Sequence, residues 1–240
     1  MKAMIFAAGL GTRLKDETKN KPKALVGVGG KPLLQHAVEK LKSTGIKEIV
    51  INVHHYSGKI ISWLKENDFG VQIHISDETG MLLDTGGGLK KAAHFLKDAE
   101  SILIYNVDII SDLDLNLVKK EHIKTGALAT LVVRKRKTNR YFKFDEQQSL
   151  VGWTNKKTGE IKLSRPVKSE TTIEMAFSGI HIIHPKIFDL MPGEDKFSIT
   201  DFYLRLAENH PIKGYYDKSI LWMDVGKPEE LERARNFSLD

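Results

Sequence analysis

"MIFAAGLGTRL", residues 4–14, is a short apolar run that stops at Ala7-Ala8 and passes at once into Gly9, Gly11, Thr12 and Arg13. A run of this length, bounded by glycine, reads as a buried strand. A strand that empties into a bare and then charged loop marks the place to look for a ligand, because open α/β sheets bind beyond the carboxyl ends of their strands. The same grammar repeats downstream. Strand patterns at "EIVINV" (48–53), "VQIHI" (71–75), "SILIYNV" (101–107) and "ALATLVV" (127–133) alternate with helical patterns. The helices read at "PLLQHAVEKLKSTG" (32–45), "SGKIISWLKEN" (57–67, with Ser57 as its cap), "GGLKKAAHFL" (87–96) and "LDLNLVKKEHIKTG" (113–126). This alternation predicts an α/β fold: a doubly wound, mostly parallel, Rossmann-like sheet with helices on both faces.

From about residue 128 to 183 the pattern changes to short alternating strands, "RYFKFD", "SLVGWT", "EIKLS" and "TIEMAFSGIHII". These read as an antiparallel β insertion extending the same sheet. Helices return at "FSITDFYLRLAEN" and "KPEELERARNF", beside strands "IKGYYD" and "ILWMDV". With no linker, low-complexity tract or repeat, residues 1–240 are expected to form one unit.

The 240 residues are 41% apolar and 28% charged, which fits a soluble globular protein. No apolar run approaches the ~20 residues of a membrane span, and the apolar start is too short for a signal peptide. Zero cysteines exclude disulfides, zinc-thiolate sites and thiol catalysis, and fit a cytoplasmic location. A formal charge of +6 suits an enzyme of phosphorylated small molecules without calling for nucleic acid. The densest basic run, "VRKRKTNR" (133–140), reads first as a solvated hairpin or loop and second as a phosphate-attracting rim.

The first loop is neither of the commonest nucleotide motifs. G-x-G-x-x-G fails at Leu14, and no P-loop occurs, since Lys31 is followed by Pro32. What remains is a loop of backbone N–H groups able to wrap phosphates, with Arg13 as a permanently charged, forked donor and Lys23 on a backbone stiffened by Pro22. A tight turn flanked by surface charge is the plainer reading of the same residues.

The combination "AAGLGTRL…KPKAL" resembles the signature of the sugar-1-phosphate nucleotidylyltransferases. Other stretches resemble the same family in order: "LLDTGGGLKKA" its second nucleotide loop, "ILIYNVDII" a metal-binding strand end, "FSGIHII" a sugar-binding strand, and "WMDVGKPEEL" a second metal-binding turn. The resemblance runs over roughly residues 1–235. It implies a GT-A-like fold with a nucleotide-binding half over about 1–127 and a sugar-binding part over about 128–240. It also implies a reaction between a nucleoside triphosphate and a sugar 1-phosphate, with Mg²⁺ as cofactor.

Carried onto this chain, the family's residues are Arg13 and Lys23 for catalysis. Ala7, Ala8, Gly9, Gly11, Thr12, Thr85 and Gly86 join them for the nucleotide. Gly87, Asn106, Ser178, Gly179 and Asp201 fall to the sugar, and Asp108 and Asp224 to the metal. Considered singly, each aspartate also suits a cap or a loop ion pair, and Gly179 suits a bulge. One departure is Val107, where the family has glycine before its metal aspartate. Asp112 and Asp114 read as helix caps. His54-His55 is a false lead for a metal, because neighbours on a strand point to opposite faces. Trp63, Trp153 and Trp222 read as core or rim aromatics.

Within the family, the compact length and "DTGGG" resemble N-acetylmuramate 1-phosphate uridylyltransferases, with Asp84 where those carry glutamate. Mannose- or heptose-1-phosphate guanylyltransferases are the alternative. Outside the enzyme class stands a catalytically silent subunit that senses nucleotide-sugars.

Overall fold

The computed structural model describes residues 1–166 and 172–237. In chain order the strands are β1 (Lys2–Phe6), β2 (Gly27–Val28), β3 (Lys31–Pro32), β4 (Glu48–Val53), β5 (Gln72–Asp77), β6 (Ile102–Asn106) and β7 (Ile109–Ser111). They continue with β8 (Ala129–Arg134), β9 (Arg140–Phe144), β10 (Leu150–Asn155), β11 (Glu160–Leu163), β12 (Ile173–Ile183), β13 (Ile212–Tyr216) and β14 (Trp222–Asp224). The helices are α1 (Leu33–Lys42), α2 (Ser57–Glu66), α3 (Asp84–Lys91), α4 (Ala93–Leu96), α5 (Leu115–Thr125), α6 (Ile199–Leu206) and α7 (Pro228–Asn236). Among the described residues no helix is long and apolar enough to cross a membrane.

The main sheet runs β11-β10-β9-β12-β6-β1-β4-β5, with β8 beside β12 and β13 beside β8. β1 pairs in parallel with β4 and β6, and β4 with β5. The antiparallel part is grafted on through β12, which pairs with β6, β8 and β9. This is the predicted α/β sheet with its antiparallel extension.

Alternation along the central strands explains why both faces carry helices. Met4, Val50, Ile102 and Ile104 lie in one buried cluster, whereas Ala3, Ile5, Ile49, Ile51, Leu103 and Tyr105 lie in another. Successive side chains point to opposite faces, so a strand apolar at every position has to be covered twice. A third cluster, around Leu14, Val28, Leu33, Met223, Val225 and Leu231, anchors the first loop to the carboxyl-terminal helix.

Two local expectations need correction, and one pairing was not expected. Ser57 does not cap α2: the N-cap is Tyr56, in the left-handed region at φ 54. The helix expected over 87–96 begins at Asp84 and breaks at Ala92 into α3 and α4. The β7–β14 pair was not foreseen from sequence, and it sets Asp224 opposite Ile109, one residue after Asp108.

Candidate active site

Register brings the carboxyl ends of three strands level. Phe6 pairs with Asn52 on one side and with Asn106 on the other, so the chain leaves β1 between two amides. The Ala7 N–H donates to Asn52 Oδ1 at 2.7 Å. Asn52 Nδ2 donates to Glu78 Oε1 at 2.6 Å, and the Leu83 N–H donates to Glu78 Oε2 at 3.4 Å. A buried polar strut therefore ties the first loop to the start of the second. Burial pushes the Glu78 carboxyl up from its ordinary value. Neither Asn52 nor Glu78 was singled out from sequence, although polar residues closing buried strands were the available signal.

Ala7, Ala8, Gly9, Arg13, Lys23, Thr85, Asn106 and Asp108 line a cavity of about 430 Å³, joined by Asn52, Glu78 and Lys196. Gly11 and Thr12 do not line it. Gly11 adopts φ +68 and packs on Thr18 and Lys23, where a Cβ would stand 3.0 Å from Thr18 Cγ2. Thr12 is exposed and opens the 3₁₀ segment Thr12–Thr18.

The glycines of the second loop serve packing. The Gly86 N–H donates to Phe197 O at 2.9 Å, so it is not a free donor at the helix start. A Cβ on Gly87 would lie 1.9 Å from Asp195 O, and one on Gly88 would lie 2.6 Å from Glu78 Oε1. Gly86 and Gly87 therefore stand against residues 195–197 rather than on the wall of either central cavity. Thr85 does line the first cavity, and its Oγ1 accepts from the Ile199 N–H at 3.1 Å.

Asp108 and Asp224 converge. Lys23 Nζ is ion-paired with Asp108 Oδ2, with both side chains nearly buried. The point where a Gly226 Cβ would stand is 2.6 Å from Lys23 Nζ, 2.7 Å from Asp108 Oδ2 and 2.9 Å from Asp224 Oδ1. Only glycine at 226 lets the backbone approach these three charged groups so closely. Asp224 also accepts from the Gly226 N–H at 3.1 Å. Burial, and then the charge of Asp108, push the Asp224 carboxyl up, while Lys23 and Arg13 oppose the shift. The described residues hold no cluster of three or more histidine or acidic ligands. Two converging carboxylates suit Mg²⁺, which takes its remaining positions from phosphates and water. Val107 is buried, with its N–H on Phe6 O at 3.2 Å, and it lines the first cavity beside Asp108.

A second cavity of about 330 Å³ meets the first at Arg13, Asn106 and Asp108. Ser178 and Gly179 line it together with Asp224. Gly179, at φ +76, sits within the register shift of β12, and a Cβ there would come 3.0 Å from Asn106 Nδ2. The glycine is thus both bulge and close approach. Asp201 does not line the cavity: its carboxylate reaches outward to Lys162 at 2.6 Å, and the preceding Thr200 faces in. One residue along a helix rotates the side chain by about 100°.

The basic run also needs correction. Arg134 Nη1 donates to Asp217 at 3.2 Å, and the Arg136 guanidinium lies 4.7 Å from the Trp222 ring centre. Lys135 and Lys137 are exposed while Arg134 and Arg136 turn inward, as alternation at a strand end dictates. Arg136 and Arg140 line the second cavity beside Trp153 and Trp222. His54 and His55 lie just past the end of β4 and still part company: His54 Nδ1 bonds Glu78 O at 2.7 Å, and His55 packs on Tyr56.

Comparison with known proteins agrees with this arrangement. A family model described as nucleotidyl transferase matches residues 2–240. The chain is 34% identical to a mannose-1-phosphate guanyltransferase of Yarrowia lipolytica, covering 96% of this chain and 62% of that protein. It is 31% identical to an N-acetylmuramate alpha-1-phosphate uridylyltransferase of Caulobacter vibrioides, covering 95% of this chain and 92% of that protein. A crystal structure of HddC from Yersinia pseudotuberculosis superposes with a TM-score of 0.78 at 24% identity over 98% of each chain, a likeness of fold. With nearly its whole length matched by the family model, this chain belongs to the nucleotidyl transferase family.

Proposed function

We propose that this protein is a sugar-1-phosphate nucleotidylyltransferase, joining a nucleoside triphosphate to a sugar 1-phosphate with release of pyrophosphate. The observation that carries the reading is the convergence of Lys23, Asp108 and Asp224 beside Gly226, where two cavities share Arg13, Asn106 and Asp108. One cavity takes the nucleotide and the other the sugar, dividing the chain into a nucleotide half over about 1–127 and a sugar part over about 128–240. An oxygen of the sugar phosphate attacks the α-phosphorus, the bond from that phosphorus to the bridging oxygen breaks, and pyrophosphate leaves with the electron pair. A phosphate dianion is already a competent nucleophile, so no side-chain base is required, and catalysis reduces to positioning and charge neutralisation. Arg13 neutralises the leaving pyrophosphate. Lys23 exchanges Asp108 for a phosphate oxygen when substrate enters. Mg²⁺, held by Asp108 and Asp224, would supply further neutralisation of phosphate charge.

For the substrates we favour UTP and N-acetylmuramate 1-phosphate. The "LLDTGGG" loop and the 92% coverage of the Caulobacter relative support this choice. The higher identity to the Yarrowia relative favours, as a second reading, GTP with mannose 1-phosphate; the family resemblance keeps a heptose 1-phosphate beside it. The cysteine-free composition agrees with a cytoplasmic setting. The test is pyrophosphate release with Mg²⁺ over a grid of UTP, GTP, CTP, ATP and dTTP against 1-phosphates of N-acetylmuramate, N-acetylglucosamine, glucose, mannose and heptose. Turnover with UTP and N-acetylmuramate 1-phosphate is expected. Turnover with GTP and mannose or heptose replaces the substrate pair but keeps the class. Nucleotide binding with silence across the grid points to a sensing subunit or to a sugar 1-phosphate outside the grid.

A further inference from the structure

Arg134 and Arg136 both pack on Trp222, but only one of them is neutralised. Arg134 is paired with Asp217 and also donates to Ser219 O at 3.1 Å. Arg136 donates through Nη2 to Phe177 O at 3.0 Å, while its Nε is buried without an acceptor. Trp222 is itself held in place, its Nε1–H donating to Ser178 O at 3.1 Å. The guanidinium therefore sits over a fixed aromatic ring, its carbon 4.7 Å from the ring centre, half-buried and with donors to spare. A cation taken from water without a counter-charge is costly unless something compensates it. The strongest opposing charge acting on it is Asp224, with Glu230 a weaker one, and Asp224 already faces Lys23 and Asp108. Arg136, Asp224 and Arg13 all line the second cavity.

We propose that Arg136, laid on Trp222, is the receptor for the phosphate of the sugar 1-phosphate. The inference rests on the reading of the second cavity as the sugar site. Phosphate is the fitting ligand because a planar guanidinium takes two oxygens at once, leaving a third free to attack. A neutral sugar hydroxyl would leave the charge uncompensated. Trp222 acts as a positioning residue.

The test measures binding by thermal shift and turnover by pyrophosphate release, in wild type, Arg136→Gln, Arg136→Lys and Trp222→Leu, with exposed Lys135→Gln as control. Probes are UTP and GTP, the 1-phosphates of N-acetylmuramate, mannose and glucose, and inorganic phosphate. Arg136→Gln is expected to weaken binding of the sugar 1-phosphate that wild type accepts by about 30-fold, with nucleotide binding within about twofold of wild type. KM for the sugar phosphate should rise in parallel with less change in kcat. Lysine should rescue in part, and Trp222→Leu should shift the same KM in the same direction. Unchanged sugar-phosphate binding in Arg136→Gln overturns the proposal, as does an equal loss for nucleotide, which would mark a merely structural role. A wild type that binds nucleotide but no sugar 1-phosphate also overturns it. If wild type binds both and Arg136→Gln loses only the sugar phosphate, the assignment stands even where no pyrophosphate is released, and only the proposed activity fails.

Discussion

The Lys23 ammonium is bonded to Asp108 on the floor of the cleft, on the side of the carboxylate that also faces Asp224. Two acids this close repel, which is part of why the Asp224 carboxyl is pushed up. The lysine paired with Asp108 offsets part of that repulsion before substrate arrives. The same ammonium is then available to a phosphate oxygen once other positive charge takes its place.

Asp108→Asn tests that arrangement. Turnover is expected to fall by about 10³-fold, as for other losses of charge stabilisation at a reacting phosphate. Stability should fall by less than the ~3–5 kcal/mol of a broken buried pair, because Asp224 can receive the stranded ammonium. Pyrophosphate release and urea unfolding measure the two effects. Near-normal turnover would remove Asp108 from the site.

Gly226→Ala places a methyl group where Lys23 Nζ, Asp108 Oδ2 and Asp224 Oδ1 meet, 2.6–2.9 Å from each. The substitution is expected to block divalent ion entry while leaving the protein folded. Mn²⁺ binding, followed by electron paramagnetic resonance with nucleotide present, should weaken by at least about tenfold, equivalent to ~1.4 kcal/mol. Unaltered Mn²⁺ affinity would mean the two aspartates do not share an ion.

Gly87→Ala separates packing from ligand contact. Its Cβ would lie 1.9 Å from Asp195 O, so residues 193–198 must move away from α3. Overpacking of this kind costs about 1–3 kcal/mol, read as a lower urea midpoint. Full stability with a raised KM for the sugar phosphate would instead return Gly87 to the sugar site.

His181→Phe should stabilise the protein. The His181 ring is fully buried, neither nitrogen has a partner, and it packs on Phe177 and Tyr203. Burial lowers its pKa from 6.5 to about 3. A lowered histidine binds fewer protons in the folded than in the unfolded state between those values. Its neutral form is therefore fully accommodated above pH 6.5, and stability drains away as pH falls toward 3. Phenylalanine removes both the unpaired polar atoms and the titration. The gain, about 1 kcal/mol near neutrality, should widen below pH 6. Chemical denaturation at pH 7.5 and 5 checks it, and a gain independent of pH would contradict the assignment. His122, with its pKa lowered to about 4 by burial and its Nδ1 on Thr130 Oγ1 at 2.9 Å, contributes acid sensitivity in the same direction and remains in the variant.

The strands and helices were legible because their signals are local and repeated. β4 occupies the span expected of "EIVINV", and α5 begins after the Asp114 cap and ends at Gly126, which adopts φ 59. Arg13, Lys23, Asp108 and Asp224 were legible through the family motifs, and the structure brings them to one cleft. Asn52 and Glu78 carry no motif. They matter because the β1–β4 register sets Asn52 beside Phe6, a fact that lives in strand pairing and not in either stretch of sequence.

Chemistry borne by local order, such as an apolar strand feeding a glycine loop with an arginine, was written in the chain itself, since neighbours in sequence are neighbours in space whatever the fold. The tertiary structure alone decided which charges become cleft and which become surface. Arg136 turns inward because Trp222, 86 positions away, offers it a flat face. Asp201 turns outward because Lys162 meets it there. Gly86 and Gly87 are small because Phe197 and the backbone of Asp195 lie against them. Each of these outcomes depends on a contact between distant segments, and the free energy of such a contact exists only after the sheet has brought them together.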